Sequence, residues 1–467
     1  MGENRLMSFD PNRRRLLLGI AAAGTFAAIP PSARALAALG TTARALELVA
    51  LRDRTTGLKL LELPRGFSYL SFGWAGDPMF GGVPTPQLHD GMAVVAAVGQ
   101  RLTLVRNHEI RSDDGAFAPG DIVYDPAAGG GTTTLEFDTE RGRLVRAYAS
   151  LAGTAINCDG GPTPWGSWLS GEETVRGPGD PHYDEPRPLR YQKSHGWMFE
   201  VRGDGPHAAR PLPALGRFTH EAAAIDPATG IVYLTEDRTE AGLYRCVPNQ
   251  PGELERGGKL EMLAARSADG PAPELARDLP AGASYAVRWV PIDDPMLAHT
   301  PGTGDAKGVY AQGHALGGTR FVRLEGCVFA GGVLHFTSTS GGDAGRGQIW
   351  RYDPRTERLT LVFESRDAEV LDRPDNITLT PQGALLVCED GGDDPERLIA
   401  ISTDGRATAF ARNAVQLDGE RNGLAGDFRD QEFAGACFSP DGRWLFVNVQ
   451  TPGISFAITG PWAGLGL

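Results

Sequence analysis

Apolar and polar positions alternate over short stretches along most of this chain, the period-two signature of strands with one buried face. Six times the alternation takes one form. A polar pair opens an apolar strand, a tight turn containing Gly follows, and a second apolar strand runs to a polar residue. Four of these hairpins run from His220-Glu221 through Gly230 to Glu236, from Asp375-Asn376 through Gly383 to Glu389, from Glu432 through Gly442 to Asn448, and from Asn157-Cys158 through Gly166 to Glu172. Two looser ones run from His89-Asp90 through Gly99 to Asn107-His108-Glu109, and from Glu325 through Gly332 to Ser338. In an antiparallel hairpin the start of the first strand and the end of the second share one edge. Six such hairpins around one axis put both polar sets on one rim. The pattern therefore predicts an all-β, six-bladed β-propeller with loop excursions and a metal site at the centre of one face. Further strands are expected at 132–138, 196–201, 242–247, 347–353, 359–364, 397–401 and 407–411, as the outer strands of blades. The Pro/Gly-rich or polar stretches 178–188, 249–280 and 291–308 are expected to be loops. A seventh blade within 245–320, or a β-sandwich with long loops, is the alternative.

The chain has 467 residues, with 62 Gly and 34 Pro, which suits many short strands joined by turns. No linker divides it beyond the N-terminus, so residues 41–467 are expected to form a single propeller domain, and a monomer. A net charge of -13 with no basic stripe excludes nucleic acid as the expected partner. No apolar run is long enough for a stable membrane span. At the N-terminus, Arg13-Arg14-Arg15 precede a short Ala/Gly-rich apolar stretch and Ala33-Arg34-Ala35. Residues 1–40 thus read as a signal peptide for the twin-arginine export machinery, which moves folded proteins to the periplasm or outside the cell. An ordinary secretory signal that carries three arginines is the alternative.

So many acids on one rim cannot all stay ionised without cations between them, because like charges raise one another's pKa. Oxygen-rich sites suit Ca²⁺, Mg²⁺, Mn²⁺ or Fe³⁺, and the thiol of Cys158, set in a Gly-rich polar turn, tilts one position toward a transition metal. A lone acid at a strand end is more often a turn residue; recurrence at equivalent positions makes the case here. Glu172-Glu173, Glu236-Asp237 and Glu389-Asp390 are adjacent acids, so in extended chain only one of each pair faces the axis. Among the cations, Arg238 is the best placed to meet a phosphate, and Arg106 has the plainer reading of a salt bridge to a rim carboxylate. Trp165 and Trp168 wall the mouth or fill a blade. No serine-hydrolase elbow, phosphate-binding P-loop, zinc-protease helix or dinucleotide fingerprint occurs in a fitting context.

Several segments, in order along the chain, carry a resemblance. They are Gly76-Asp77-Pro78-Met79, His89-Asp90-Gly91-Met92, Arg106-Asn107-His108-Glu109, and the run from Asn157-Cys158 through Pro162-Thr163-Pro164-Trp165-Gly166 to Glu172-Glu173. Phe218-Thr219-His220-Glu221, Glu236-Asp237-Arg238, Arg373-Pro374-Asp375-Asn376 and the stretch from Val447 to Gly453 complete the set. Together they resemble the PhoX-type alkaline phosphatases. The resemblance implies a six-bladed propeller with an iron–calcium cluster, exported folded, that hydrolyses small-molecule phosphomonoesters. It implies Cys158 and Glu221 as ligands of Fe³⁺, and Asn107, Glu109, Glu172, Glu236 and Glu389 as contributors to Ca²⁺ or shared sites. Two other functions remain open at this point: a lactonase or esterase with one central Ca²⁺, and a non-catalytic propeller that binds a partner on its rim.

Overall fold

A computed structural model describes residues 46–465 except 281, 304, 306, 393 and 394. The expected signal segment lies outside the described residues. The described chain is nearly all β, with one two-turn helix, Gly308–Ala315, and a single turn at Trp462–Leu465. Among the described residues no helix is long and apolar enough to cross a membrane.

All six expected hairpins form, in this order: His89–Val98 with Arg101–His108, Asn157–Pro162 with Ser167–Glu172, His220–Ile225 with Val232–Glu236, Leu324–Ala330 with Val333–Ser338, Pro374–Leu379 with Leu385–Glu389, and Phe433–Phe438 with Trp444–Val449. Their registers place strand start against strand end: His89 faces His108, Asn157 faces Glu172, His220 faces Glu236 and Pro374 faces Glu389. The first strand of each pair packs beside the first strand of the next, and that of the sixth packs beside that of the first. These strands therefore close a ring, as in a propeller.

Outer strands follow most pairs where the periodicity places them, for example Gly130–Asp138, Gln348–Asp353 and Arg397–Ile401. The sixth pair is completed from the other end of the chain, because Ser68–Phe72 pairs with Ile454–Thr459. Joining early and late strands in one sheet ties the two ends of the ring together. Leu70, Phe72, Leu104, Leu135, Phe137 and Phe446 fill the space between this sheet and the first. The stretch 249–280 is not a loop, as expected, but carries the strand Gly258–Ser267, which pairs with both Tyr244–Pro248 and Ser284–Pro291. Buried Leu260, Met262, Leu263, Ala264 and Ala265 seat that strand, so packing overrides its polar surroundings. Through Ser284–Pro291 the third and fourth pairs join one 10-stranded sheet.

Each of the six inner pairs breaks register near the start of its first strand. The breaks span Asp90, Cys158, Glu221, Glu325 and Asp375, and in the sixth pair Gly435. A bulge places two residues against one and re-aims a side chain. In four pairs a non-Gly residue with positive φ stands two positions ahead of the re-aimed one: Leu88 (51°), Ile156 (50°), Arg323 (46°) and Arg373 (46°). Such conformers cost free energy and persist only where the surroundings dictate them. The strands meet tightly here. A Cβ on Gly91 would lie 2.6 Å from Asp159 Cα, and one on Gly326 would lie 2.5 Å from the Asp375 carbonyl oxygen.

Candidate functional site

Four of the bulge residues, Cys158, Glu221, Glu325 and Asp375, open into one cleft of about 370 Å³. Every pair contributes to its wall: Glu109 follows the first, Cys158 and Glu173 belong to the second, Glu221 and Asp237 to the third, Glu325 to the fourth, Asp375 and Asp390 to the fifth, and Glu432 and Gln450 to the sixth. Two cations, Arg111 and Arg323, line it as well.

Cys158 is the hub. Its Sγ lies 3.2 Å from Glu221 Oε1 and 3.7 Å from Asp90 Oδ2. Two ligand sets share this sulfur: Asp90, Glu109 and Cys158, and Cys158, Glu173 and Glu221. Within each set the donor atoms lie within 4.8 Å of one another. Gln450 ties the first set to the sixth pair, its Nε2 donating to Glu109 Oε2 (2.7 Å), Asp90 Oδ2 (3.2 Å) and Glu432. On the side of the third to fifth pairs, Arg323 donates from Nε to Asp237 Oδ1 (3.0 Å), from Nη2 to Asp237 Oδ2 (3.1 Å) and to Glu325, with Nη1 3.8 Å from Asp390 Oδ2. Asn376, next to Asp375 of the wall, donates from Nδ2 to Asp159 Oδ2 (2.6 Å) and accepts at Oδ1 from the Ala436 amide (3.0 Å), which ties the second, fifth and sixth pairs together.

Burial pushes the carboxyls of Asp90, Glu221, Glu325, Asp375 and Glu432 far above their ordinary range, and those of Glu109, Glu173 and Asp390 upward too. Neighbouring acids add to this: Glu109 acts on Asp90, and Glu173 on Glu221. The Cys158 thiol is raised by burial, then by Asp90 and Glu221. Two arginines do not offset so many acids. Carboxylates that crowd one thiol and lack counter-charge fit bound cations: oxygen donors suit hard ions, and the shared sulfur suits a transition metal.

Of the expected site residues, Cys158, Glu109 and Glu221 line the cleft, whereas Asn107, Glu172, Glu236, Glu389 and Arg238 are not part of its wall. Each of these acids is hydrogen-bonded to groups that are not part of the wall. Glu172 Oε1 meets His195 Nδ1 at 2.6 Å and accepts from the Ala155 amide (2.9 Å), while Oε2 accepts from the Gly196 amide (2.8 Å). Glu236 Oε2 accepts from the Tyr244 hydroxyl at 2.5 Å. Glu389 receives a fork from Arg397 at 2.6 and 2.7 Å. Strand alternation then turns the next residues, Glu173, Asp237 and Asp390, into the cleft. Asn107 accepts from Trp168 Nε1 and Ser170 Oγ, both at 2.9 Å, and donates to the Asp159 carbonyl (2.7 Å). Arg238 reaches Glu236 at 3.9 Å and the Thr303 carbonyl at 3.3 Å.

Arg106 makes no salt bridge to a rim carboxylate. It is fully buried and donates to the Gly73 carbonyl (3.0 Å), Ser455 Oγ (2.6 Å) and Thr133 Oγ1 (3.2 Å). Trp168 is buried and Trp165 donates to Glu200 Oε1 (2.7 Å), so neither tryptophan is part of the cleft wall. Arg111 and Arg323 were not among the sequence candidates. The available signal was their spacing, two residues from Glu109 and from Glu325.

The sequence matches the family described as alkaline phosphatase PhoX over residues 47–453. No curated protein matches it. Its fold is similar to the solved structure of Pseudomonas fluorescens PhoX in complex with vanadate, a transition state analogue, at 18% identity over 89% of this chain and 98% of that one, with a TM-score of 0.63. A gluconolactonase from Xanthomonas campestris aligns at 12% identity over 90% of this chain and 99% of that one, with a TM-score of 0.40.

Proposed function

The chain belongs to the alkaline phosphatase PhoX family, and on that premise we propose that it hydrolyses phosphomonoesters at a metal centre in the carboxylate cleft. The observation that carries this reading is the Cys158 thiol shared by two carboxylate sets at the centre of the ring. The vanadate bound by the Pseudomonas relative supports a cleft that takes up a phosphoryl group.

Cys158, Glu109 and Glu221, joined by Asp90 and Glu173, are the residues that would hold the ions. The family implies iron near the thiol and calcium among the oxygens. Bound there, such ions supply Lewis-acid activation of a phosphoryl oxygen and of water. The protein's own part is to fix the ligands. The bulges aim them, Gln450 orients the Glu109 and Asp90 oxygens, and Arg323 keeps a positive charge on the opposite wall. Asn107, Glu172, Glu236 and Glu389 act from behind by pinning the strands that carry Cys158, Glu173, Asp237 and Asp390, as the outer partners of a metal site do. We read the ring as a six-bladed propeller, folded from residues 41–467 as one domain and one monomer. We further infer export by the twin-arginine route, which lets the folded, metal-loaded protein reach the periplasm or the exterior.

The test is elemental analysis of protein expressed with its N-terminal segment, paired with turnover of p-nitrophenyl phosphate on the same sample. Iron and calcium together with turnover are expected. Calcium alone without phosphatase turnover would replace this reading with a lactonase-like or non-catalytic one.

A further inference from the structure

The two arginines of the cleft are held in opposite ways. Arg323 is pinned by Asp237, Glu325 and Asp390, which leave its guanidinium enclosed by protein carboxylates. Arg111 has a single carboxylate partner, Nη2 donating to Glu109 Oε1 at 3.1 Å. Its side chain is 57% exposed, and its Nε and Nη1 have no partner among the described residues. Its backbone is nonetheless fixed: the preceding Ile110 carbonyl accepts from the Ile156 amide at 3.1 Å, beside the second pair. A guanidinium on a held backbone, with an open edge toward the cleft, is a ready receptor for a planar anion.

The buried acids around Cys158 mark the deep end, where the phosphoryl group belongs. Arg111 is bonded to Glu109 and feels the charges of Glu173 and Cys158, yet its side chain is 57% exposed, so it stands between that deep end and solvent, the side that takes the alcohol half of a substrate. The rest of that outer wall is acidic: Asp430 is exposed and Asp390 half-buried. With Arg323 already bound to three carboxylates, Arg111 is the cleft cation left with donors for an anionic leaving group.

Resting on the phosphomonoesterase reading above, we propose that Arg111 determines specificity by binding a carboxylate on the leaving group, so that the preferred substrates are phosphomonoesters of carboxylated alcohols or phenols. The Glu109 contact fixes which edge of the guanidinium stays open.

The experiment compares kcat/KM of the metal-loaded enzyme on phenyl phosphate and on 4-carboxyphenyl phosphate, a pair that differs by the carboxylate. The quantity read is the ratio of carboxylated to plain substrate, which cancels general damage to the metal centre. Arg111→Gln is expected to lower that ratio about tenfold, the scale of deleting one charge-assisted hydrogen bond at a partly exposed site. Arg111→Lys should restore part of it, and Asp430→Asn should raise it about twofold by removing a repelling charge. An unchanged ratio in Arg111→Gln, or equal losses on both substrates, would overturn the proposal and assign Arg111 to the phosphoryl group or to Glu109 alone. Where Arg111→Gln is too inactive to measure, the Arg111→Lys and Asp430→Asn ratios decide in the same sense. Turnover of neither substrate by the unaltered enzyme would instead refute the phosphomonoesterase reading itself.

Discussion

The cleft wall and the layer directly behind it are built from the same kind of residue and treat charge in opposite ways. Behind the wall, Glu172, Glu236 and Glu389 each have a partner fixed by the fold: His195, Tyr244 and Arg397. Burial raises Glu236 and Glu389, but those donors hold them to about 7. One residue further along each strand, Glu173, Asp237 and Asp390 look into the cleft. There burial and neighbouring acids raise Glu173 and outweigh the opposing charge of Arg111. The layer behind is electrostatically complete and the wall is not. A protein keeps such an incomplete set only where something from outside completes it, and at a shared thiol that is a metal ion.

The sharpest way to break this comparison is to remove the ions or their hub. Cys158→Ala and Glu221→Ala should each lower phosphatase activity by at least about 10²-fold, the scale of losing one transition-state-stabilising group, and should release bound metal. Elemental analysis and turnover on one sample check it. Chelation should lower the melting temperature as well, because ions that bind only the folded state stabilise it by mass action. Unchanged metal content and turnover in both variants would remove the wall's distinction from the layer behind.

Adjacent residues give a finer test. Glu173→Gln deletes a charge from the incomplete set. It should lower activity and metal content while raising the melting temperature of the chelated protein. Glu172→Gln should do the reverse to stability. It takes one partner from a fully buried ion pair, a change that typically costs about 3–5 kcal/mol, and should lower activity only about 10- to 100-fold through the displaced strand. Thermal melts with and without chelator separate the two. If both variants destabilise the chelated protein equally, the division into wall and backing fails.

The backing layer also has its own pH signature. Burial pulls His195 down, but the carboxylates of Glu172 and Asp125 outweigh it and carry the imidazole from 6.5 to about 9. A group raised on folding stabilises fully below its unfolded pKa and loses that contribution as pH rises through the folded value. About 3 kcal/mol should therefore disappear between roughly pH 6.5 and 9. Denaturant melts across that range should show the slope in the unaltered protein and a flatter one in His195→Gln.

How much of this was legible beforehand depends on which link of the chain is asked. The six inner hairpins were readable because alternation and turn glycines are local signals, and the shared edge of each pair follows from antiparallel geometry. The strand Gly258–Ser267 was not, since Glu261 and its polar flanks hide an apolar set that only the folded sheet buries. Adjacency also showed that one acid of each pair would face the axis, but not which one. That choice is made by His195, 23 residues beyond Glu172, and by Arg397, eight beyond Glu389, whose meeting with those acids is a tertiary event. The bulges that re-aim Cys158 and Glu221 are equally invisible to a strict period of two.

The smallest expected effect concerns Arg238, which the sequence placed nearest to a phosphate. In the fold it does not line the cleft, and it makes a 3.9 Å approach to Glu236 and a 3.3 Å bond to the Thr303 carbonyl. Arg323, in contrast, projects into the wall from a left-handed backbone with φ of 46° that holds it against Asp237 and Glu325. Arg238→Gln removes a weak interaction at the edge of the backing layer and should change kcat/KM on p-nitrophenyl phosphate by less than about threefold, the range of substitutions away from buried networks. Arg323→Gln, measured in parallel, should cost at least about tenfold, because it strips the counter-charge from three acids of the wall. A loss in Arg238→Gln as large as in Arg323→Gln would mean that residues behind the wall reach the substrate when it binds, and the boundary between the two layers would have to be redrawn as one that moves.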